Sequence, residues 1–239
     1  GALGIPELVL QAYRAAEART AVTTPGCKLP WHLLAAIGRI ESGHAGGGRT
    51  DVAGTTLTPI LGPPLDGRSA ADAVITDSDG GALDGNSTHD RAVGPMQFIP
   101  STWAGYATDG NDDGKADPNN VFDAAAAAGK YLCSGGLDMT KAADATAAVM
   151  RYNNSAAYTA NVLSWSAAYS GGASPVPGRI GDATPIPSPV DALAIAAAAP
   201  GAADVAPGTD PTTTSALPTT LTPATTTAPP AFGIEGLPP

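Results

Sequence analysis

The chain has 239 residues and a formal net charge of −10, with 12 Lys and Arg against 22 Asp and Glu. That balance speaks against nucleic acid, whose binding rewards Lys and Arg that displace counterions from phosphates. The longest apolar run, Ala192–Ala199, is mostly alanine and far short of the roughly 18–20 residues a membrane-spanning helix needs, so no membrane span is expected, and the protein is expected to be a monomer.

In chain order, Ile5, Leu8, Val9, Ala12 and Ala16 keep the spacing of a helix with one buried face, predicting a first helix over about 5–19 with Pro6 in its first turn. After a Thr-Pro-Gly turn, Pro30 opens a second apolar stretch from Trp31 to Glu41, stopped by Ser42-Gly43 and the Gly46-Gly47-Gly48 run, which leaves Glu41 in the last turn of a mostly buried helix. Residues 49–90 hold short β-prone pieces, among them Ala73 to Thr76, separated by Gly, Pro and Asp, and predict a small hairpin lobe with long loops. Helical pattern returns at about 102–107, 120–132, 140–152 and 155–170, with Ser101, Asn119 or Asn120, and Ser155 as N-cap candidates. Short helices around one core with a small β insertion make an α+β domain, mainly α.

Of the three Trp, six Tyr and three Phe, only Phe232 lies beyond Tyr169, while 14 of the 23 prolines follow Gly171. A stretch so poor in bulky side chains cannot offset its ordering entropy, so 1–171 is expected to fold and 172–239, rich in Pro, Thr and Ala, to be a disordered tail. Within 1–171 the negative charge concentrates in residues 77–123, which hold nine acidic and two basic residues. Crowded carboxylates repel one another, and a bound cation is the usual remedy. The only two cysteines, Cys27 and Cys133, lack the Cys-x-x-Cys spacing of a zinc or redox site, and a disulfide is the economical reading, with two buried thiols the alternative. No charged stretch followed by an apolar one stands at Gly1, so any export signal is expected to lie outside this sequence. His32, His44 and His89 form no pair at metal-ligand spacing, which speaks against zinc.

Three segments carry the chemistry: Glu41-Ser42-Gly43, then Gly94-Pro95-Met96-Gln97-Phe98, then Arg151-Tyr152-Asn153-Asn154-Ser155. An apolar helix surface raises a carboxyl pKa and so encourages an acid to keep its proton near neutral pH; Glu41 beside Ile37 and Ile40 fits. A second carboxylate beside it could come from Asp51, Asp77, Asp79, Asp84 or Asp90, all in loops. A further segment, Asp109-Gly110-Asn111-Asp112-Asp113-Gly114-Lys115, has the oxygen donors and the Gly of an EF-hand opening, although Asn120 stands where the closing Glu belongs. The second acidic run, Asp77 to Asp84, matches no specific spacing and reads as a surface loop.

In their order and intervals these segments resemble the lytic transglycosylases of the lysozyme-like superfamily, closest to the membrane-bound type B branch, over about 5–170; the Ala/Gly/Pro/Thr-rich usage suggests an actinobacterial secreted form. The resemblance implies a goose-type lysozyme-like domain that cuts the β-1,4 bond between N-acetylmuramic acid and N-acetylglucosamine. It implies Glu41 as the one catalytic acid and base, with 1,6-anhydromuramic acid as product. Ser42, Met96, Gln97, Tyr131, Tyr152, Asn153 and Tyr158 would line the substrate site. A structural Ca2+ would be held by Asp109, Asn111, Asp113, the carbonyl of Lys115, and Asp123, which stands where the branch closes a longer loop. The partner would be peptidoglycan glycan strands and the location the cell envelope or its exterior. Where the branch has a Ser upstream of its Gln, this chain shows Ser87-Thr88-His89-Asp90, and the role is left unassigned. The rival readings are a hydrolytic muramidase and a non-catalytic, calcium-dependent glycan-binding surface protein.

Overall fold

The structure, a computed structural model, describes residues 4–68, 73–172, 175, 176 and 178. From 179 onward the expected tail lies outside the described residues. Among the described residues six helices and a small antiparallel sheet make an α+β, mainly helical fold, in keeping with a lysozyme-like transglycosylase domain. Among the described residues no helix is long and apolar enough to cross a membrane.

A short strand, β1 (Ile5–Pro6), leads into α1 (Glu7–Thr23), so Pro6 stands just before the helix rather than in its first turn. Next comes α2 (Trp31–Gly48), whose right-handed part ends at Ser42; Gly43 to Gly47 all have φ between 59 and 78 or, for Ala45, 58, and so turn with the opposite hand. The glycine run expected to stop the helix thus reverses it. The lobe is built on β2 (Leu61–Pro64) paired antiparallel with β3 (Arg91–Val93), and isolated bridges Asp66–Val74 and Thr76–His89 carry the pairing outward. Then follow α3 (Pro100–Tyr106), α4 (Val121–Cys133), α5 (Ala142–Tyr152) and α6 (Ala156–Ser170), and β4 (Pro175–Val176), which returns to pair in parallel with β1.

Helix α4 packs against α1, α2, α3 and α5 and is therefore nearly all buried. Ala124 to Ala128 fit that place, since a helix enclosed on every side is apolar all round and small side chains let neighbours approach. The closeness is visible at Gly129, where a Cβ would stand 3.0 Å from the Thr20 side chain of α1 and 3.2 Å from Leu29. Asn120 caps α4 by accepting from the Phe122 N–H at 2.9 Å, and Ser155 caps α6 by accepting from the Tyr158 N–H at 3.2 Å. Ser101 is not a cap: α3 begins one residue earlier, with Pro100 at its first position, where the missing N–H costs nothing. The disulfide between Cys27 and Cys133 joins the α1–α2 connection to the end of α4, with Cα atoms 5.4 Å apart. Beside it the Lys28 ammonium meets Asp138 at 2.7 Å.

Candidate active site

Glu41 occupies the last right-handed turn of α2, next to the buried Ile37 and Ile40, and is itself only partly exposed. Burial pushes its pKa up to about 7, and a hydrogen bond donated by the Tyr158 hydroxyl to Oε1 works the other way. Tyr158 stands in the first turn of α6, and its ring is 7% exposed. The Ser155 cap fixes the backbone from which that ring reaches α2, so a local helix start aims a contact between residues 117 apart in sequence.

The turn from Gly94 to Gln97 is gripped from two sides. Ser42, 4% exposed, donates to the Pro95 carbonyl at 2.7 Å and accepts from the Ala45 N–H at 2.9 Å. Tyr152, at the end of α5, donates to the Met96 carbonyl at 2.7 Å. The Met96 side chain is buried against α2 near Gly38. Gln97 has a left-handed backbone, φ 52, closing the turn to the Gly94 carbonyl at 3.1 Å. Its side-chain amide donates to the carbonyls of Gly94 at 2.8 Å and Ile60 at 3.2 Å, so it bridges the turn to the segment entering β2. Gly94 is required here: with φ 78, a Cβ would stand 1.8 Å from the Pro118 carbonyl oxygen. The 109–123 loop therefore lies directly against this turn.

Aromatic rings run on from the site edge to face, with Tyr152 5.6 Å from Tyr131 and Tyr131 4.9 Å from Tyr106. The Tyr131 hydroxyl donates to the Arg151 carbonyl at 2.9 Å, while the Arg151 guanidinium returns to the carbonyls of Tyr131 at 2.6 Å and Ser134 at 2.9 Å. Arg151 thus closes the C-terminal end of α4, where a cation is favoured. Asn153 is exposed at the end of α5, where its N–H donates to the Val149 carbonyl. Fold and sequence spacing together gather Glu41, Ser42, Met96, Gln97, Tyr152 and Tyr158 around one turn. Tyr131 is reached through Tyr152.

In the loop expected to hold calcium, Asp123 is 1% exposed and accepts from the N–H groups of Gly110 at 2.7 Å, Asn111 at 3.3 Å and Asp117 at 2.9 Å. Burial pushes its carboxyl up; those three bonds pull the other way, and the Asp109 charge adds to the rise. Asp109 accepts from Asp113 at 3.2 Å and Gly114 at 2.8 Å, Asp113 from Lys115 at 2.9 Å, and Asn111 donates to Asp113 at 3.0 Å. An all-oxygen donor set, with Asp109 repelling Asp123, fits a hard cation chemically. A different acidic group is drawn together more tightly. Among the described residues, Asp77, Asp79 and Asp90 each bring a carboxylate oxygen within 4.8 Å of the others. The Thr76–His89 bridge explains it, since antiparallel pairing lays Asp90 beside the start of the Asp77 run. Asp90 is fully buried and accepts from the Ser78 N–H at 2.8 Å and hydroxyl at 2.6 Å, and Asp84, 2% exposed, accepts from Asn86 and Arg91 N–H groups.

Residues 81–147 match the family model described as a Transglycosylase SLT domain. That stretch holds Gln97, the 109–123 loop and Tyr131, and lies between Glu41 on one side and Tyr152 and Tyr158 on the other. No curated protein and no solved structure matches the chain. The matched domain supports a place among the lytic transglycosylases and lysozyme-like proteins and, at the level of that domain, an enzyme acting on peptidoglycan. Such a substrate implies work outside the cytoplasm.

Proposed function

We propose that the protein is a secreted lytic transglycosylase of the type B-like branch that cleaves the β-1,4 bond between N-acetylmuramic acid and N-acetylglucosamine. The observation that carries this reading is Glu41, buried at a helix end with its pKa raised to about 7 and its Oε1 held by Tyr158. A group titrating there is available both as acid and as base near neutral pH, which is what one residue doing both jobs requires. Protonated Glu41 donates to the departing glycosidic oxygen. The sugar's own N-acetyl group stabilises the positive charge left at C1. The Glu41 carboxylate, steadied by the Tyr158 hydroxyl, then takes the proton of the muramic acid C6 hydroxyl, and that oxygen closes onto C1 as the 1,6-anhydro product.

A retaining hydrolase would place a second carboxylate about 5–5.5 Å from the acid. Among the described residues the side-chain hydrogen bond to Glu41 comes from the Tyr158 hydroxyl, and in the proposed reaction the substrate's N-acetyl group stands where a retaining hydrolase has its nucleophile. Tyr131 and Tyr152, both partly exposed, offer ring faces for sugars, their hydroxyls being taken by the Arg151 and Met96 carbonyls; Tyr158 acts on Glu41, and Gln97 holds the neighbouring turn. Bound calcium would be held by Asp109, Asn111, Asp113, Asp123 and the Lys115 carbonyl, supplying charge neutralisation to a loop packed on that turn. Mass spectrometry of digested glycan strands tests the reaction. Products lighter by one water than the hydrolytic ones are expected, and fully hydrated reducing ends would make the enzyme a muramidase.

A further inference from the structure

His44 follows Glu41 by three residues, is 3% exposed, and sits within the reversed turn at φ 60. Its Nδ1 lies 3.1 Å from the Tyr13 hydroxyl of α1 and its Nε2 2.9 Å from the Tyr169 hydroxyl of α6. A neutral imidazole has one N–H and one lone pair, so it donates to one hydroxyl and accepts from the other, leaving neither nitrogen unsatisfied. Burial holds the ring neutral, its pKa pushed down to about 3, and the Arg39 cation acts in the same sense. Arg39 lies with its guanidinium 3.6 Å from the Trp165 ring centre and donates to the Tyr169 hydroxyl at 3.4 Å.

The other end of the network presses on α2 ahead of Glu41. A Cβ at Gly38 would stand 2.0 Å from the Tyr13 hydroxyl, so that hydroxyl rests directly on the helix three residues before the glutamate. The helix is thus held on both sides of Glu41, by Tyr13 before it and by His44 after it. The backbone makes the ring's presence informative. L-residues visit the left-handed region singly, at roughly 1–2 kcal/mol each. Here five in succession adopt it, and Gly43, Gly46 and Gly47 meet the requirement cheaply. His44 and Ala45 carry that cost, and at His44 the two ring hydrogen bonds to Tyr13 and Tyr169 help to hold the conformation.

We propose that His44 is a positioning residue for Glu41: hydrogen-bonded between Tyr13 and Tyr169, it holds the reversed turn and so keeps the end of α2 where Glu41 is buried against Tyr158. This rests on the reading of Glu41 as the acid and base. Among the described residues, the titratable and charged groups facing His44 include Tyr13 on α1, Tyr169 on α6 and Arg39 on α2, and those facing Glu41 include Tyr158 on α6 and Tyr152 on α5.

The test titrates the Glu41 carboxyl carbon by NMR in the full chain, assigned against Glu41→Gln, alongside kcat and KM on purified glycan strands. In His44→Leu, which removes both bonds, the Glu41 pKa is expected to fall by about one unit toward the ordinary glutamate range. Its kcat should fall about tenfold with KM nearly unchanged. His44→Gln, which keeps a donor and an acceptor, should recover part of both. Tyr13→Phe removes one hydroxyl and leaves the ring, and serves if His44→Leu does not fold. A folded His44→Leu or Tyr13→Phe with the wild-type carboxyl titration and kcat overturns the proposal, as does a loss confined to KM or to melting temperature. Should the wild type cleave no glycan strand, the functional reading fails by itself, and the carboxyl titration still decides the role of His44.

Discussion

At the end of α2 a single carboxylate sits among apolar side chains with one hydroxyl on its oxygen, whereas between Asp77 and Asp123 carboxylates crowd together and accept backbone N–H groups. Burial raises the pKa of both Glu41 and Asp123. Only Asp123 is answered by three N–H donors, each of which favours its charged form. The difference separates two uses of one functional group. A buried carboxylate given three N–H donors pins a loop, and one given a single hydroxyl keeps its proton available for transfer.

The largest effect should come from taking the acid away. Glu41→Gln keeps shape and removes proton transfer, so cleavage of glycan strands should drop about 10²–10⁴-fold while binding persists. Residual activity within about tenfold of the parent would remove Glu41 from the chemistry. The wild-type kcat should decline on the alkaline side of about pH 7, as the acid form is lost.

Next in size is the covalent tie between the two regions' supporting helices. A loop of 106 residues closed by Cys27–Cys133 gives a model stabilisation of roughly 4–5 kcal/mol, an upper guide. Denaturant unfolding of the reduced protein or of the double Ala variant should show a loss of that order, and an unchanged midpoint would make the bridge incidental.

The contrast in carboxylates also predicts a pH signature. Because the folded pKa of Glu41 lies above its unfolded value, the native state binds more protons between the two. Stability is then undiminished below about pH 4.5, falls as pH rises toward 7, and levels off above it. Glu41→Gln lacks that cost, so it should match the wild type at pH 4 and exceed it at pH 8 by up to roughly 3 kcal/mol, less where water reaches the carboxyl. Equal stabilities at pH 8 would mean that Glu41 ionises freely.

The smallest expected effect tests the acidic side. If calcium holds the 109–123 loop, an excess of about a hundredfold over Kd stabilises the fold by roughly 2.7 kcal/mol. Chelation should then lower the melting temperature, and Asp113→Ala should mimic chelation and ignore added calcium. Identical melting with calcium and with chelator at matched ionic strength would leave the loop an acidic turn pinned by Asp123.

Much of this organisation is decided by neighbours in sequence. The Asn120 and Ser155 caps, the apolar runs of α2 and α4, and the placing of Glu41 at the end of a buried helix follow from propensity and spacing, which act over a turn or two. The Cys27–Cys133 pairing follows from there being no other cysteine to choose. What tertiary structure alone decided is which side chains meet across the core. Tyr158 reaching Glu41, His44 lying between Tyr13 and Tyr169, and Asp90 joining Asp77 and Asp79 all depend on how helices are rotated and strands registered against one another. The reversal of α2 belongs to the same class: the glycines permit either a stop or a change of hand, and the pull of His44 and Ser42 on distant partners selects the second. Local sequence sets which backbone conformations are cheap, and packing over a hundred residues' separation chooses among them.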